Sequence, residues 1–297
     1  MYSSIIERIP HSETTLFIQR LDRMNAPISG NKFYKLTHNL SEAKRKGYSK
    51  ILTFGGAYSN HIYATAIAGK EYGFQMIGIM RGEKANPLNP TLAFAEKCGM
   101  KLHFISREQY QKKRDHSFIN ELKNQFGDFY LIPEGGTNEL AVQGCEEIVK
   151  NIPLEIDYVI CPVGTGGTIS GIISGLTGNK KIIGIPVLKN NGFLEKEIIH
   201  FLSLVKKENL QNWKLVNEYS FGGYAKFDSS LIDFINQFYQ KTKIPLDPIY
   251  TGKMMYGIYD LIQKGFFKKE EKILVIYTGG IQGIEGFNQR FGDLIKL

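Results

Sequence analysis

Two lysines, Lys32 and Lys35, directly follow a Gly-Asn turn within residues 28–36. Residues three positions apart share one face of a helix, so both amines can face the same site. Lys32 is the candidate reactive amine, since lysines act as covalent nucleophiles toward carbonyl compounds. The alternative is that both lysines are solvated surface residues, which is the commoner situation for this residue type.

A second signal comes from a glycine-rich loop that consists of Gly164, Thr165, Gly166, Gly167 and Thr168. It follows a strand expected at residues 158–163 and precedes a helix expected at residues 169–176. Such a loop directs backbone N–H groups and a helix N-terminus at a phosphate, with threonine hydroxyls as further donors. It lacks the lysine of a nucleotide P-loop and the spacing of a dinucleotide fingerprint. The loop therefore predicts a phosphate site that is not obviously a nucleotide site.

Three more turns follow expected strands, where α/β sheets bind their ligands. Gly55 and Gly56 allow a ligand to approach the backbone and lead into Ser59, Asn60 and His61. Ser59 could also be no more than the N-cap of the following helix. The turn at residues 133–138 indicates only a turn, and the turn at residues 277–280 adds one hydroxyl.

The elements that carry these turns alternate between short β-rich runs and amphipathic stretches. This alternation predicts an α/β fold with parallel-rich sheets covered by helices on both faces. We expect a smaller α/β domain at residues 35–132, inserted into a larger domain built from residues 1–34 and 133–297, with the site in the cleft between them. The expected strands are residues 51–54, 74–80, 101–105, 129–132, 158–163, 182–187 and 273–277.

Composition and charge narrow the function classes. The chain has 297 residues, 42% hydrophobic and 22% charged, which is ordinary for a soluble protein. We find no signal peptide and no run as long as a membrane span, so we expect a cytoplasmic protein without a membrane partner. The net charge of +8 raises the possibility of nucleic-acid binding, but the basic residues are dispersed along the sequence. We therefore expect small anionic molecules as partners and no nucleic acid.

The three cysteines, Cys98, Cys145 and Cys161, lie far apart in the sequence. Their odd number and wide spacing argue against a disulfide framework and against a metal site.

A phosphate loop together with a reactive lysine is what pyridoxal 5'-phosphate requires. From about Arg20 to the C-terminus, the chain resembles the fold-type II pyridoxal-phosphate family that contains D-cysteine desulfhydrase and 1-aminocyclopropane-1-carboxylate deaminase. The resemblance rests on five motifs in the same order. They are Ser29-Gly30-Asn31-Lys32 with Lys35-Leu36, Gly55-Gly56 with Ser59-Asn60-His61, the loop at residues 164–168, residues 246–253, and Thr278-Gly279-Gly280.

The resemblance implies a role for each matching residue and a homodimeric assembly. Lys32 would bind the cofactor covalently, and Asn60 would contact the cofactor ring hydroxyl. The loop at residues 164–168 would hold the phosphate with help from Lys35. The residues near the substrate would be Ser59, Asn60 and His61 at its carboxylate and the phenols of Tyr224 and Tyr250.

Three positions depart from the deaminases of this family and match the desulfhydrases. Thr251 stands where the deaminases have a glutamate, Thr278 where they have an apolar residue, and His61 where they have a glutamine. We therefore expect Thr278 at the pyridine nitrogen and a lyase similar to D-cysteine desulfhydrase. The alternatives are a deaminase of 1-aminocyclopropane-1-carboxylate and a non-catalytic protein that binds phosphate or nucleic acid.

Overall fold

The computed structural model describes residues 4–12, 14–24, 26, 28–150, 152–176, 178 and 180–297. Strands and helices alternate along most of this chain, as expected. The strands are β1 (Ile5–Ile9), β2 (Thr15–Arg20), β3 (Lys50–Gly55), β4 (Gln75–Arg81), β5 (Lys101–Ile105), β6 (Tyr130–Ile132), β7 (Tyr158–Val163), β8 (Lys181–Pro186), β9 (Trp213–Leu215) and β10 (Lys272–Tyr277). The α-helices are α1 (Asn31–Arg45), α2 (Asn60–Tyr72), α3 (Pro90–Lys97), α4 (Arg107–Gln111), α5 (His116–Phe126), α6 (Glu139–Glu146), α7 (Gly167–Gly175), α8 (Phe193–Leu204), α9 (Ser229–Thr242), α10 (Thr251–Gln263) and α11 (Gly283–Phe291).

The larger sheet has six strands in the order β1-β2-β10-β7-β8-β9. All neighbouring pairs in it are parallel except β1 and β2. Sequence analysis missed β1, β2 and β9. The first lies at an edge and is partly exposed, and the last has only three residues. Strand β2 was missed because it contains the polar residues Gln19 and Arg20, which are nevertheless buried. The charge of Arg20 is neutralised by Asp22, which accepts two hydrogen bonds from it.

The smaller sheet has four parallel strands in the order β5-β4-β3-β6. Helix α1 packs on α6, which lies outside the proposed insertion, and also on α2, which lies inside it. The domain boundaries expected at residues 34/35 and 132/133 therefore stay a prediction.

The core follows from the burial of whole strands and of a small-residue helix. Every residue of β7 is buried, as expected for a parallel strand covered on both faces. Helix α7 packs closely on α6, and this requires a glycine at position 171. A side-chain carbon added at Gly171 would lie 2.3 Å from Cβ of Cys145. Cys145 and Cys161 are buried and free. Within the described ranges, no helix has both the length and the apolar character needed to cross a bilayer.

The start of α1 is fixed against the end of β10. Gly30 precedes the helix with a φ of +74°, and any side chain there would lie 2.4 Å from the Thr278 carbonyl oxygen. The Asn31 N–H donates to that same oxygen at 3.2 Å, and the Gly30 N–H donates to the Leu21 oxygen at 2.8 Å. Glycine is required at this position. The close contact brings Lys32 to the carboxyl end of the larger sheet.

Candidate active site

The turns singled out in the sequence meet around one cavity of about 1600 Å³. It lies at the carboxyl ends of β3, β7 and β10, where both sheets face the space between them. All of the predicted site residues except Gly167 line this cavity. The structure therefore brings together residues that are up to 246 positions apart, from Lys32 to Thr278.

Lys32 makes fewer hydrogen bonds than Lys35, the second lysine at the start of α1. It is partly buried in the cavity wall, and its amine lies 3.1 Å from Oδ1 of Asn31. Burial and the nearby positive charge of Lys35 lower its pKa to about 7. Removal from water and a like charge both disfavour the protonated amine. A substantial fraction of Lys32 is therefore uncharged near neutral pH, as a nucleophile requires.

Lys35 is fully enclosed and held by oxygens. Its amine donates to the Gly135 carbonyl at 3.0 Å, to Thr137 Oγ1 at 2.8 Å and to Thr165 Oγ1 at 3.4 Å. Burial lowers its pKa to about 8. A lysine with three acceptors is fixed in place and serves to position the glycine loop and to add positive charge. The turn at residues 133–138, which looked uninformative in the sequence, supplies two of these acceptors.

The glycine loop presents an uncapped helix N-terminus to the cavity. Gly166 adopts the left-handed conformation with φ of +85°, and α7 begins at Gly167 without a side-chain cap. The free N–H groups of a first helical turn and the helix dipole favour an anion at this position. The hydroxyl of Thr168 accepts from Asn31 Nδ2 at 2.8 Å, which links the loop to the start of α1. These features fit a phosphate group.

Helix α2 offers a second N-terminus on the opposite wall. Ser59 is its N-cap and accepts from the Ile62 N–H at 3.3 Å. Capping uses a lone pair of the hydroxyl, so the hydroxyl hydrogen is still available to a ligand. Asn60 Oδ1 accepts from Gln282 Nε2 at 2.9 Å, which leaves the Asn60 amide hydrogens as donors. Gln282 was not predicted, because it lies two residues beyond the motif Thr278-Gly279-Gly280.

The ring of His61 lies between two threonine hydroxyls. Its Nε2 lies 2.7 Å from Thr53 Oγ1, and that hydroxyl already donates to the Ile132 carbonyl, so Nε2 carries the hydrogen and donates. Its Nδ1 lies 3.3 Å from Thr65 Oγ1. Burial, Lys32 and Lys35 hold its pKa well below the usual value. The role of His61 at the substrate carboxylate stays a prediction, and the backbone N–H groups at the start of α2 are further donors at this position.

Two tyrosines also line the cavity. The hydroxyls of Tyr250 and Tyr224 lie 3.5 Å apart, and their rings meet edge to face. The Tyr250 ring packs on Gly164, where an added side-chain carbon would lie 3.2 Å from Cε1. Burial raises the pKa of both phenols, so both are hydrogen-bond donors at neutral pH. The structure thus joins Tyr250 to the glycine loop as well as to Tyr224.

Lys253 and Asp247 position these tyrosines. The buried Lys253 amine donates to the carbonyls of Val187, Ser220 and Gly223 at 3.1, 2.8 and 2.7 Å, and so ties the segment before Tyr224 to α10. Asp247 accepts four hydrogen bonds from the start of α10, at Ile249 N, Tyr250 N, Thr251 N and Thr251 Oγ1. Both residues lie in the motif at residues 246–253, but the sequence did not show what they bind.

The two threonines that distinguish the chain from the deaminases lie in different surroundings. Thr278 lines the cavity at the end of β10. Thr251 is fully buried, and its hydroxyl donates to Asp247 Oδ1 at 2.7 Å. Position 251 therefore contributes neither a charge nor a free hydroxyl to the cavity.

Comparisons with known proteins agree with this geometry. A family model described as pyridoxal-phosphate dependent enzyme matches residues 7–279. A Thermotoga maritima protein provisionally named 1-aminocyclopropane-1-carboxylate deaminase is 31% identical over 293 residues, which cover 93% of this chain and 91% of that protein. An Arabidopsis thaliana protein named bifunctional D-cysteine desulfhydrase/1-aminocyclopropane-1-carboxylate deaminase is 30% identical over 294 residues, covering 91% of this chain and 73% of that protein. A crystal structure described as an ACC deaminase homologue superposes with a TM-score of 0.87 at 27% identity, over 99% of this chain and 94% of its own.

The chain belongs to the pyridoxal-phosphate dependent enzymes of fold type II, in the group that contains 1-aminocyclopropane-1-carboxylate deaminase and D-cysteine desulfhydrase. Its cofactor is pyridoxal 5'-phosphate, and the predicted family, fold class and cofactor are confirmed. The alternative of a non-catalytic binding protein is not supported. The residues present fit the cofactor, because an uncapped helix N-terminus, a lysine with a lowered pKa and a donor amide line one cavity. The role of each residue stays a prediction.

Proposed function

We propose that this enzyme is a lyase that acts on D-cysteine or a related β-substituted D-amino acid and releases a 2-oxo acid, ammonia and, from cysteine, sulfide. The observation that carries the proposal is that positions 251 and 278 both hold threonines, where the deaminases have a glutamate and an apolar residue, respectively. The nearby carboxylate of Asp247 is committed to four hydrogen bonds at the start of α10.

This difference bears on the chemistry through the electron demand of the reaction. When bound, the cofactor withdraws electrons from the substrate α-carbon, and a carboxylate beside its ring nitrogen strengthens that withdrawal by keeping the nitrogen protonated. The Thr278 hydroxyl carries no negative charge for this purpose. Departure of a thiolate from the β-carbon tolerates a weaker withdrawal because thiolate is a good leaving group. Opening a cyclopropane ring is the more demanding reaction.

The residues of the chain divide the remaining tasks. The Ser59 hydroxyl and the N-terminus of α2 hold the substrate carboxylate, and this orients the α-carbon for proton removal. The Lys32 amine accepts the α-proton as a general base. The β-carbon to sulfur bond then breaks, and the sulfur leaves with the electron pair. The aminoacrylate that remains takes up water to give pyruvate and ammonia.

The second candidate function is deamination of 1-aminocyclopropane-1-carboxylate. The observation that favours it is the name of the relatives, since the Thermotoga protein carries only this activity in its name and the Arabidopsis protein carries both. Relatives at about 30% identity support the family but not one substrate.

One assay separates the two functions. The purified holoenzyme is incubated with D-cysteine, L-cysteine, 3-chloro-D-alanine or 1-aminocyclopropane-1-carboxylate, and the 2-oxo acid is identified by mass spectrometry. We expect pyruvate and sulfide from D-cysteine and negligible 2-oxobutanoate from the cyclopropane substrate. Efficient formation of 2-oxobutanoate, with little pyruvate from D-cysteine, would replace the proposal with the second candidate.

A further inference from the structure

A guanidinium without an acidic partner borders the substrate side of the cavity. Arg81 ends β4 and lines the cavity, and its Nη2 lies 3.6 Å from the position of a side-chain carbon added at Gly56. Gly56 belongs to the turn that leads into Ser59 and Asn60, so the charge lies beside the expected carboxylate site. Across the described part of the chain, no carboxylate comes within the 4.0 Å of an ion pair with Arg81.

The neighbouring carboxylate is already engaged. Glu134 accepts the Tyr110 hydroxyl at 2.8 Å and pairs with Lys113 at 3.5 Å. Arg81 lies over the Tyr110 ring at 5.7 Å from its centre, and Lys113 lies over the same ring at 5.0 Å. The stacking fixes the direction of the guanidinium without neutralising it. Arg81 is exposed at the end of β4, and its hydrogen-bond donors are available to a ligand.

The size and charge of the cavity favour a ligand larger and more anionic than cysteine. The cavity of about 1600 Å³ holds the cofactor as well as the substrate, and it exceeds the roughly 300–1,000 Å³ of a typical small-molecule site. Its wall includes eight lysines and arginines but three carboxylates. The phosphate loop and the N-terminus of α2 account for two anions of the bound cofactor and substrate. Arg81 lies at neither of these positions and is suited to a third anion.

We propose that Arg81 binds a carboxylate at the far end of the substrate's β-substituent, so that the preferred substrates are amino acids whose leaving group is itself anionic. This inference rests on the proposed lyase function. With S-carboxymethyl-D-cysteine, Lys32 takes the α-proton, the β-carbon to sulfur bond breaks, and thioglycolate leaves with the electron pair. Water then converts the aminoacrylate to pyruvate and ammonia. Arg81 contacts the departing carboxylate and no reacting atom.

The test compares two substrates of nearly equal shape in two variants. S-carboxymethyl-D-cysteine carries the distal carboxylate, and S-carbamoylmethyl-D-cysteine replaces it with a neutral amide. We expect Arg81→Gln to lower kcat/KM for the acid by about 5-fold to 100-fold, the range between an exposed ion pair and an enclosed charged hydrogen bond. The amide should change by less than about twofold, since one lost neutral contact is worth little when water replaces it. Arg81→Lys should recover part of the preference for the acid.

A matched control is Arg114→Gln. Arg114 lines the same cavity, but Glu197 already neutralises it through hydrogen bonds of 3.1 and 2.8 Å. We expect this variant to keep the wild-type ratio of kcat/KM for the acid to kcat/KM for the amide. An equal loss of kcat/KM on both substrates in Arg81→Gln would place Arg81 at the shared α-carboxylate and overturn the inference. A variant that loses activity on neither substrate would overturn it as well.

A binding measurement keeps the inference testable if the proposed function fails. If neither thioether nor D-cysteine yields pyruvate, the lyase proposal is wrong. Calorimetric titration of the holoenzyme with the same two compounds then measures their affinities, which test the contact with Arg81 directly. We expect tighter binding of the acid than of the amide in the wild type, and loss of that difference in Arg81→Gln. Equal affinity of the wild type for both compounds would overturn the inference.

Discussion

The amine of Lys32 should titrate near neutral pH in the apoprotein. Burial, and next the charge of Lys35, lower its pKa from 10.5 to about 7. At pH 7 about half of the Lys32 amines would then be uncharged, against roughly 0.03% for an ordinary lysine side chain. The reactive fraction therefore rises about a thousandfold, which is the kinetic benefit of placing this lysine in the cavity wall.

Competitive labelling measures this pKa. The apoprotein is labelled with a trace of formaldehyde and cyanoborohydride between pH 5 and pH 10, and the Lys32 peptide is quantified by mass spectrometry against N-acetyl-lysine amide as the reference amine. We expect an inflection near pH 7. Lys35→Met removes the neighbouring positive charge and should move the inflection upward, with thermal unfolding as the check that the variant folds. An inflection above pH 9 in the wild type would refute the assignment of Lys32 as the activated amine.

The same pKa has a consequence for stability. Because the folded-state pKa lies below the unfolded value, the unfolded chain binds more protons between about pH 7 and pH 10.5, and this group makes the protein more stable as pH rises through that window. A difference of about 3.5 pH units corresponds to at most about 5 kcal/mol, and we halve it to about 2 kcal/mol because Lys32 is partly accessible to water. Lys32→Met should thus stabilise the apoprotein by about 2 kcal/mol at pH 7 and by little above pH 10.5. Equal stabilisation at both pH values, measured by urea unfolding, would show that packing rather than charge is responsible.

Three further substitutions test the assigned roles. Lys32→Ala should abolish turnover and leave the protein without a borohydride-fixed cofactor label, while equilibrium dialysis still detects phosphate-anchored cofactor. A label that persists in this variant would assign the covalent bond to another lysine. Ser59→Ala should slow pyruvate formation with little change in cofactor content, and should cost about 1 kcal/mol of stability as a lost N-cap; an unchanged rate would leave only the cap. Lys253→Met strands three buried carbonyls and should cost about 3 kcal/mol or more while raising KM, since the segment carrying Tyr224 loses its anchor; normal stability and KM would contradict that role.

Much of the fold was predictable because its signals are local. Many of the strands are short apolar runs next to turns, and the positions of β5, β6 and β7 were predicted to within one residue. The strands that were missed depend on partners distant in sequence. β2 is acceptable as a strand only because its buried Arg20 meets Asp22 and the Tyr277 ring.

The candidate site was also partly local. The glycine turns and the lysine pair identified residues that line the cavity, since a cluster of glycines next to reactive side chains is recognisable in a sequence. What the sequence could not show is which groups share a hydrogen bond. The acceptors that fix Lys35 come from Gly135, Thr137 and Thr165, about 100 to 130 positions away.

The sequence by itself determined the order of the seven strands that were predicted, the two helix starts that are candidates for anion binding, and the family. Only the tertiary structure decided the protonation and the roles of groups within the site. Lys32 and Lys35 are the same residue type on one helix, and they differ because one meets a single amide and the other meets three oxygens. Burial, and next the charges of Lys32 and Lys35, hold the pKa of His61 well below its usual value. Arg81 keeps its charge available because Tyr110 and Lys113 occupy Glu134. A pKa or a free hydrogen bond depends on what surrounds an atom in space, and that arrangement exists only once both sheets have packed together.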